Sequence, residues 1–136
     1  MSKRRKPILS VDFDGVIHSY TTKWSGAHII PDPPVPGAME FLREATDSFT
    51  VAIFSTRSKE IEGRQAMRQW LRYCAEEQAA LTDEDTDWVD LIEWPTTKPP
   101  ALVMIDDRAF RFEGEWPDVQ DLLSFKPWNK SGPAKG

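Results

Sequence analysis

The first residues suited to chemistry are two aspartates, Asp12 and Asp14, which follow the apolar segment Ile8–Val11. In an extended chain, residues i and i+2 point to the same side, so both carboxylates can face one site. Gly15 comes next and permits a backbone turn that a side chain would obstruct. Two carboxylates on one side repel each other unless a cation lies between them or one of them is protonated. The pair therefore indicates a bound cation or a protonated carboxyl group.

A second pair of acids, Asp106 and Asp107, follows the apolar segment Ala101–Ile105. A cluster made of both acidic pairs favours a hard dication, and Mg²⁺ with oxygen ligands is the natural choice. Lys98 precedes this segment by only a few residues, so we expect it to reach the same site. There a lysine would compensate negative charge and donate to a phosphate.

A third apolar segment, Phe49–Phe54, ends in Ser55-Thr56. The Ser55 hydroxyl and the Ser55 backbone N–H are both donors suited to one phosphate oxygen. Together with the acids and the lysine, these groups are what phosphoryl transfer to a carboxylate requires. One aspartate attacks, a cation and a lysine neutralise charge, a hydroxyl orients the phosphate, and a second aspartate moves the proton.

The elements that must position these residues alternate between strand and helix patterns. Apolar runs that end in polar residues, separated by helical stretches, are typical of an α/β domain with a mainly parallel sheet. The carboxyl ends of such strands line the ligand crevice, so the three polar ends are expected to meet. The pattern predicts strands over Ile8–Phe13, Phe49–Phe54, Val89–Ile92 and Ala101–Ile105, helices over Gly37–Asp47, from the N-cap Ser58 onward and over Pro117–Phe125, and a hairpin joining Ile17–Tyr20 to His28–Ile30.

Length and composition fit one domain, since the chain has 136 residues and a mass of 15.6 kDa. We assign a basic arm to residues 1–7, the domain to residues 8–130 and a flexible tail to residues 131–136. The net charge of −5 argues against duplex nucleic acid as a partner of the whole surface. No apolar run approaches the roughly 20 residues of a bilayer span. The lone Cys74 excludes an internal disulfide framework, so a reducing cytoplasm is the expected location.

Four short segments together resemble the motifs of the haloacid dehalogenase superfamily, and they occur in that family's order. The resemblance runs from Ile8 to about Phe112 and implies a three-layer, Rossmann-like α/β fold and a Mg²⁺-dependent phosphatase. The segments are Asp12-Phe13-Asp14-Gly15-Val16, Ser55-Thr56, Lys98 and Ile105-Asp106-Asp107.

The resemblance implies a role for each acid. Asp12 corresponds to the nucleophile that forms an aspartyl-phosphate, and Asp14 corresponds to the general acid and base. Asp106 and Asp107 correspond to the acids that hold Mg²⁺, together with Asp12 and the backbone carbonyl of Asp14. An aspartate two residues after the nucleophile is similar to the phosphatase members of the superfamily rather than to the dehalogenases.

The resemblance also implies phosphate binding by Ser55, with Thr56 as the second choice, and by Lys98. The stretches between the motifs are too short for a cap domain, so the chain resembles a minimal, capless member with a hairpin flap. Two arginines directly follow motifs and are suited equally to phosphate or to surface ion pairs. The candidate substrate contacts are Arg57, Arg108, His18, Tyr20 and Trp24.

Three other functions stay open at this point. A phosphatase of nucleotides or polynucleotide ends is favoured by an open site and by the basic segment Lys3–Lys6. A receiver-type phosphoacceptor domain also clusters acids with a lysine, but it needs an aspartate where this chain has Ser55. A catalytically idle binding module of the same fold is the third, and the occupied chemical positions argue against it. The sequence indicates a phosphorylated substrate as partner and leaves the oligomeric state open.

Overall fold

A small parallel sheet forms the centre of the computed structural model, which describes residues 6–128. The strands are β1 (Ile8–Val11), β2 (Thr50–Ile53) and β3 (Val103–Ile105). Their order is β2-β1-β3 and both pairings are parallel. Leu9 lies opposite Val51 on one side and opposite Val103 on the other. The predicted mixed α/β class and parallel sheet are therefore confirmed, as a small open sheet of three strands.

Within residues 6–128, three helices accompany this sheet. They are α1 (Ala38–Ser48), α2 (Ile61–Thr82) and α3 (Val119–Leu123), with short 3₁₀ turns at Thr56–Lys59 and Asp87–Leu91. Helix α1 agrees with the predicted span within one residue at each end. Its apolar spacing buries one face, while Phe41 stays exposed. Within residues 6–128, no helix has the length and apolar composition to cross a membrane.

The loop after β1 is anchored in the core by Phe13, which is fully buried between the two aspartates of the first motif. The Phe13 ring packs edge-on against Trp70 of α2, with ring centroids 5.2 Å apart. Ile17 is buried in the same core cluster. Asp12 and Asp14, on either side of the buried Phe13, are only partly buried.

The predicted strand over Val89–Ile92 is instead the 3₁₀ turn that ends at Leu91. Trp88 and Val89 of this turn are buried, so the apolar residues fill the core from a turn rather than from a strand. Glu93 makes the backbone hydrogen bonds with β2 instead: its N–H donates to the Val51 carbonyl, and its carbonyl accepts from the Ile53 N–H. A short apolar run is compatible with a strand or with a buried turn. Here the backbone pairing of Glu93 with β2 leaves the apolar residues before it in a turn.

The predicted hairpin is not formed: the structure assigns no strand between residues 15 and 36. We call residues 19–31 the flap. Four of its backbone groups are satisfied by side chains. Asp32 accepts from the Thr22 N–H at 2.7 Å, and Arg57 donates to three flap carbonyls. Buried backbone groups need partners, and these side chains remove the need for cross-strand pairing.

The two later helices begin beyond their predicted starts. Ser58 is not the cap of α2, because its hydroxyl accepts from the Ser55 N–H and closes the 3₁₀ turn; α2 begins at Ile61. Helix α3 is shorter than predicted and is capped by Asp118, whose carboxylate accepts from the Gln120 N–H.

Gly63 lies where α2 packs on the 3₁₀ turn, and a Cβ there would collide with the Arg57 carbonyl. Alanine at an ordinary helix position is about 1 kcal/mol better than glycine. Here we expect Gly63→Ala to lower the free energy of unfolding by about 1–3 kcal/mol through overpacking. Denaturant unfolding measures it, with the exposed Gln65→Ala on the same helix as a control that changes little. A Gly63→Ala protein more stable than wild type would contradict this packing.

Candidate functional site

Three carboxylates meet where β1 and β3 end. Asp12, Asp106 and Asp107 each place one oxygen so that all three lie within 4.8 Å of one another. The Asp12 N–H donates to the Ile105 carbonyl at 2.9 Å, which continues the β1–β3 pairing and sets the acids side by side. The convergence predicted from strand topology is thus present for three of the four acids.

The acidic cluster is electrostatically strained without a cation. Burial raises the pKa of Asp12 to about 7, and the negative charges of Asp106 and Asp107 add to this, while the hydrogen bond from the Phe13 N–H acts in the opposite direction. The Oδ1 atom of Asp107 is buried with no hydrogen-bond partner among the described residues. An acid-only set of oxygen donors with an unpartnered buried atom fits a hard dication such as Mg²⁺.

Gly15 lets the Asp107 carboxylate approach the loop after β1. Its φ is +85°, and a Cβ at this position would collide with the Asp107 carboxylate. The Gly15 carbonyl accepts from the Trp128 indole N–H at 2.7 Å, so the end of the described chain also contacts this loop. The glycine is therefore required both by its backbone conformation and by the close carboxylate.

The Asp14 carboxylate is not part of this cluster and is held by Arg57 and His18, which we call the clamp. The Arg57 Nε lies 2.9 Å from Asp14 Oδ2, and the Arg57 Nη2 lies 3.1 Å from Asp14 Oδ1. His18 Nδ1 lies 2.9 Å from the same Oδ1. Burial alone would raise the pKa of Asp14, but the hydrogen bonds from His18 and Arg57 outweigh it and hold this pKa below its usual value. Asp14 is thus held as a carboxylate.

His18, predicted as a possible substrate contact, is fully buried and exposes no surface to a substrate. The Asp32 backbone N–H donates to His18 Nε2 at 3.1 Å. Nε2 is therefore the acceptor, and Nδ1 carries the proton that it donates to Asp14. The ring packs edge-on against Trp70 at 5.5 Å. The i, i+4 spacing of Asp14 and His18 is the sequence signal for their contact. The sequence analysis did not predict that contact.

Arg57 is not a surface ion pair, because only 1% of it is exposed. Its Nη1 donates to the carbonyls of Gly26, Ala27 and Ile29 at 2.9–3.0 Å. Its guanidinium carbon lies 4.7 Å from the centre of the Trp24 ring. All its charge-bearing donors thus serve Asp14 and the flap.

The three predicted phosphate-binding residues lie in different surroundings. Ser55 is buried, and its hydroxyl accepts from the Arg57 N–H, which positions the turn that carries the arginine. Thr56 is exposed. The structure does not bring Lys98 to the acids: the chain enters β3 beside Ile8, since the Leu102 N–H donates to the Ile8 carbonyl, at the end of β1 opposite to the site. Lys98 is exposed and forms no ion pair with a described residue.

The remaining candidates lie around this site. Arg108 is exposed, and its backbone N–H donates to Asp106 Oδ1 at 2.8 Å, which fixes that acid. Tyr20 is half-buried with its ring centre 6.0 Å from that of His18. Trp24 is about half exposed, at 48%. The basic residues 1–5 and the tail fall outside the described residues.

Replacing Asp12 by Asn should stabilise the metal-free protein at pH 8. The folded-state pKa of about 7 exceeds the unfolded value of 3.8, so the stability contributed by a protonated Asp12 is present at low pH and is lost as pH rises through 7. We expect Asp12→Asn to raise Tm by roughly 5 °C at pH 8 with a chelator and to change it little at pH 4. The exposed Asp47→Asn is the control. Equal Tm values for Asp12→Asn and wild type at pH 8 would show that the acids are not crowded.

Removing the Arg57 side chain should be far more costly than removing a surface arginine. Arg57→Met leaves the Asp14 carboxylate and the flap carbonyls without their donor, and loss of one partner of a buried pair costs about 3–5 kcal/mol. Arg43→Met breaks an exposed pair with Glu84 and should cost less than about 1 kcal/mol. Denaturant unfolding compares the two variants. Similar losses would mean that the clamp on Asp14 does not hold the fold.

Comparisons with protein-family models, with curated proteins and with solved structures found no match to this chain. They therefore assign no family to it. The residues of the site and the order of the short motifs are what indicate a function.

Proposed function

We propose that this chain is a Mg²⁺-dependent phosphomonoester hydrolase with Asp12 as the nucleophile and Asp14 as the proton carrier. The observation that carries the proposal is the cluster of Asp12, Asp106 and Asp107 at the ends of neighbouring parallel strands, with Asp14 two residues beyond Asp12 in the chain. We also propose that the sheet is the centre of a three-layer, Rossmann-like domain, as the motif resemblance implies. A cytoplasmic location belongs to the same proposal.

The first step transfers the phosphoryl group to the protein. A carboxylate oxygen of Asp12 attacks phosphorus, and the bond from phosphorus to the ester oxygen breaks. The departing oxygen takes a proton from Asp14. The three clustered acids and the Asp14 carbonyl would hold Mg²⁺, which would supply positive charge to neutralise the phosphate oxygens. The exposed Arg108, next to the cluster in sequence, is the nearest candidate for further charge compensation.

The second step returns Asp12 to its starting state. Asp14, now a carboxylate, takes a proton from water as the water oxygen attacks phosphorus. The bond between phosphorus and Asp12 breaks and inorganic phosphate leaves. Asp14 ends the cycle protonated, so the protons balance over the two steps.

The contacts of Asp14 with Arg57 and His18 affect the relative rates of these two steps. Arg57 and His18 favour the carboxylate form of Asp14, which suits it to take a proton from water. The same contacts oppose the protonated form that the first step uses. We therefore expect the first step to be the slower one for esters whose alkoxide leaves poorly.

Wild-type protein should release phosphate from an aryl phosphate only when Mg²⁺ is present. Asp12→Asn should lower kcat by more than about 1,000-fold, because it removes the nucleophile, while the exposed Asp47→Asn keeps full activity. Phosphate release by a colorimetric assay measures this. Beryllium fluoride, a phosphoryl mimic, should inhibit the wild type through Asp12 and leave a ¹⁹F signal that Asp12→Asn lacks. Turnover that persists in Asp12→Asn would eliminate the covalent mechanism.

A further inference from the structure

Trp24 is an exposed aromatic side chain with a fixed position. The Arg57 guanidinium carbon lies 4.7 Å from its ring centre, at cation–π distance. Nevertheless, 48% of the side chain is open to solvent. Arg57 is itself immobilised by Asp14 and by the carbonyls of the flap. The indole therefore rests on an immobilised guanidinium, and about half of the residue is open to solvent.

The position of Trp24 relative to the chemistry follows from Arg57. One guanidinium contacts both the Trp24 ring and the Asp14 carboxylate, at 2.9 Å to Oδ2. Under the proposed function, Asp14 protonates the oxygen of the leaving group. Because Trp24 and Asp14 contact the same guanidinium, a leaving group that takes its proton from Asp14 would lie near Trp24. Lys23, also exposed, is its neighbour in the flap.

We propose that Trp24 is a stacking platform for a nucleobase, so that the substrates of this site are phosphate esters of nucleosides. The inference rests on the proposed function and names its substrate class. An aromatic face stacks on any base, and such contacts change binding by roughly 5- to 150-fold per base when the aromatic residue becomes alanine. An aliphatic leaving group gains no comparable interaction from a flat ring.

Two substrates with the same leaving oxygen isolate the contribution of the base. Adenosine 5′-monophosphate and ribose 5-phosphate both release a primary alkoxide, and the base is the large group that they do not share. We expect Trp24→Ala to lower kcat/KM for the nucleotide by at least 5-fold, chiefly through KM. The kcat/KM of Trp24→Ala for ribose 5-phosphate should stay within about 2-fold of the wild-type value. Trp116→Ala is the matched control, since Trp116 is 86% exposed and its ring contact is with Phe112.

A purely structural role for Trp24 would slow both substrates equally, and that result would overturn the proposal. Unchanged kinetics with both substrates would overturn it as well. Equal kcat/KM for the two substrates in the wild type would also exclude a base platform. A 5′-phosphorylated oligonucleotide, assayed beside the mononucleotide, identifies the source of the base. Trp24 dependence with either one supports the platform.

Failure of the hydrolase itself is recognised separately. If the wild type hydrolyses none of these esters with Mg²⁺, the proposed function is wrong. Equilibrium binding of adenosine 5′-monophosphate then tests whether Trp24 is a stacking platform. Binding that weakens at least 5-fold in Trp24→Ala and not in Trp116→Ala supports it. Absent binding, or equal binding by the two variants, overturns it.

Discussion

The buried contact between the Arg57 guanidinium and the Asp14 carboxylate is the interaction on which the rest of the structure depends. It joins the loop after β1 to the turn after β2, and through three carbonyls it holds the flap as well. A buried charge without its partner is strongly unfavourable. These three segments therefore have to fold together. Gly63 belongs to the same constraint, because only a residue without a side chain lets α2 lie against the Arg57 backbone.

The two aspartates of the first motif are two residues apart and have opposite electrostatic surroundings. Asp12 faces two further acids, and its pKa is raised to about 7. Asp14 faces an arginine and a histidine, and its pKa is lowered. Buried Phe13 between them separates the two environments. Pairs of carboxyl groups whose surroundings push their pKa values apart are a general basis for separate chemical roles. A dication at the acidic cluster would make Asp12 a carboxylate as well, without disturbing Asp14.

The sequence was sufficient for the features that depend on repeated local patterns. Apolar runs predicted the three strands, and parallel topology then predicted that Asp12 meets the acids after β3. It was insufficient where one side chain satisfies distant backbone groups. Nothing local to Arg57 shows that it will bind flap carbonyls about thirty residues away, and for the same reason the hairpin was predicted wrongly. Lys98 was placed by proximity in sequence, but the few residues before a strand lie at its opposite end.

A flap without a ladder of its own has a consequence for specificity. Its shape is set by Arg57 and Asp32, and Arg57 also sets the position of Asp14. In the proposed reaction, the surface that a leaving group would meet and the carboxyl group that would handle its proton are thus fixed by one side chain. A hairpin flap would keep its shape independently of the site, whereas this flap cannot change conformation without releasing contacts to the residue that holds Asp14. The orientation of Trp24 and the geometry of Asp14, the proposed proton carrier, are therefore coupled by the fold itself.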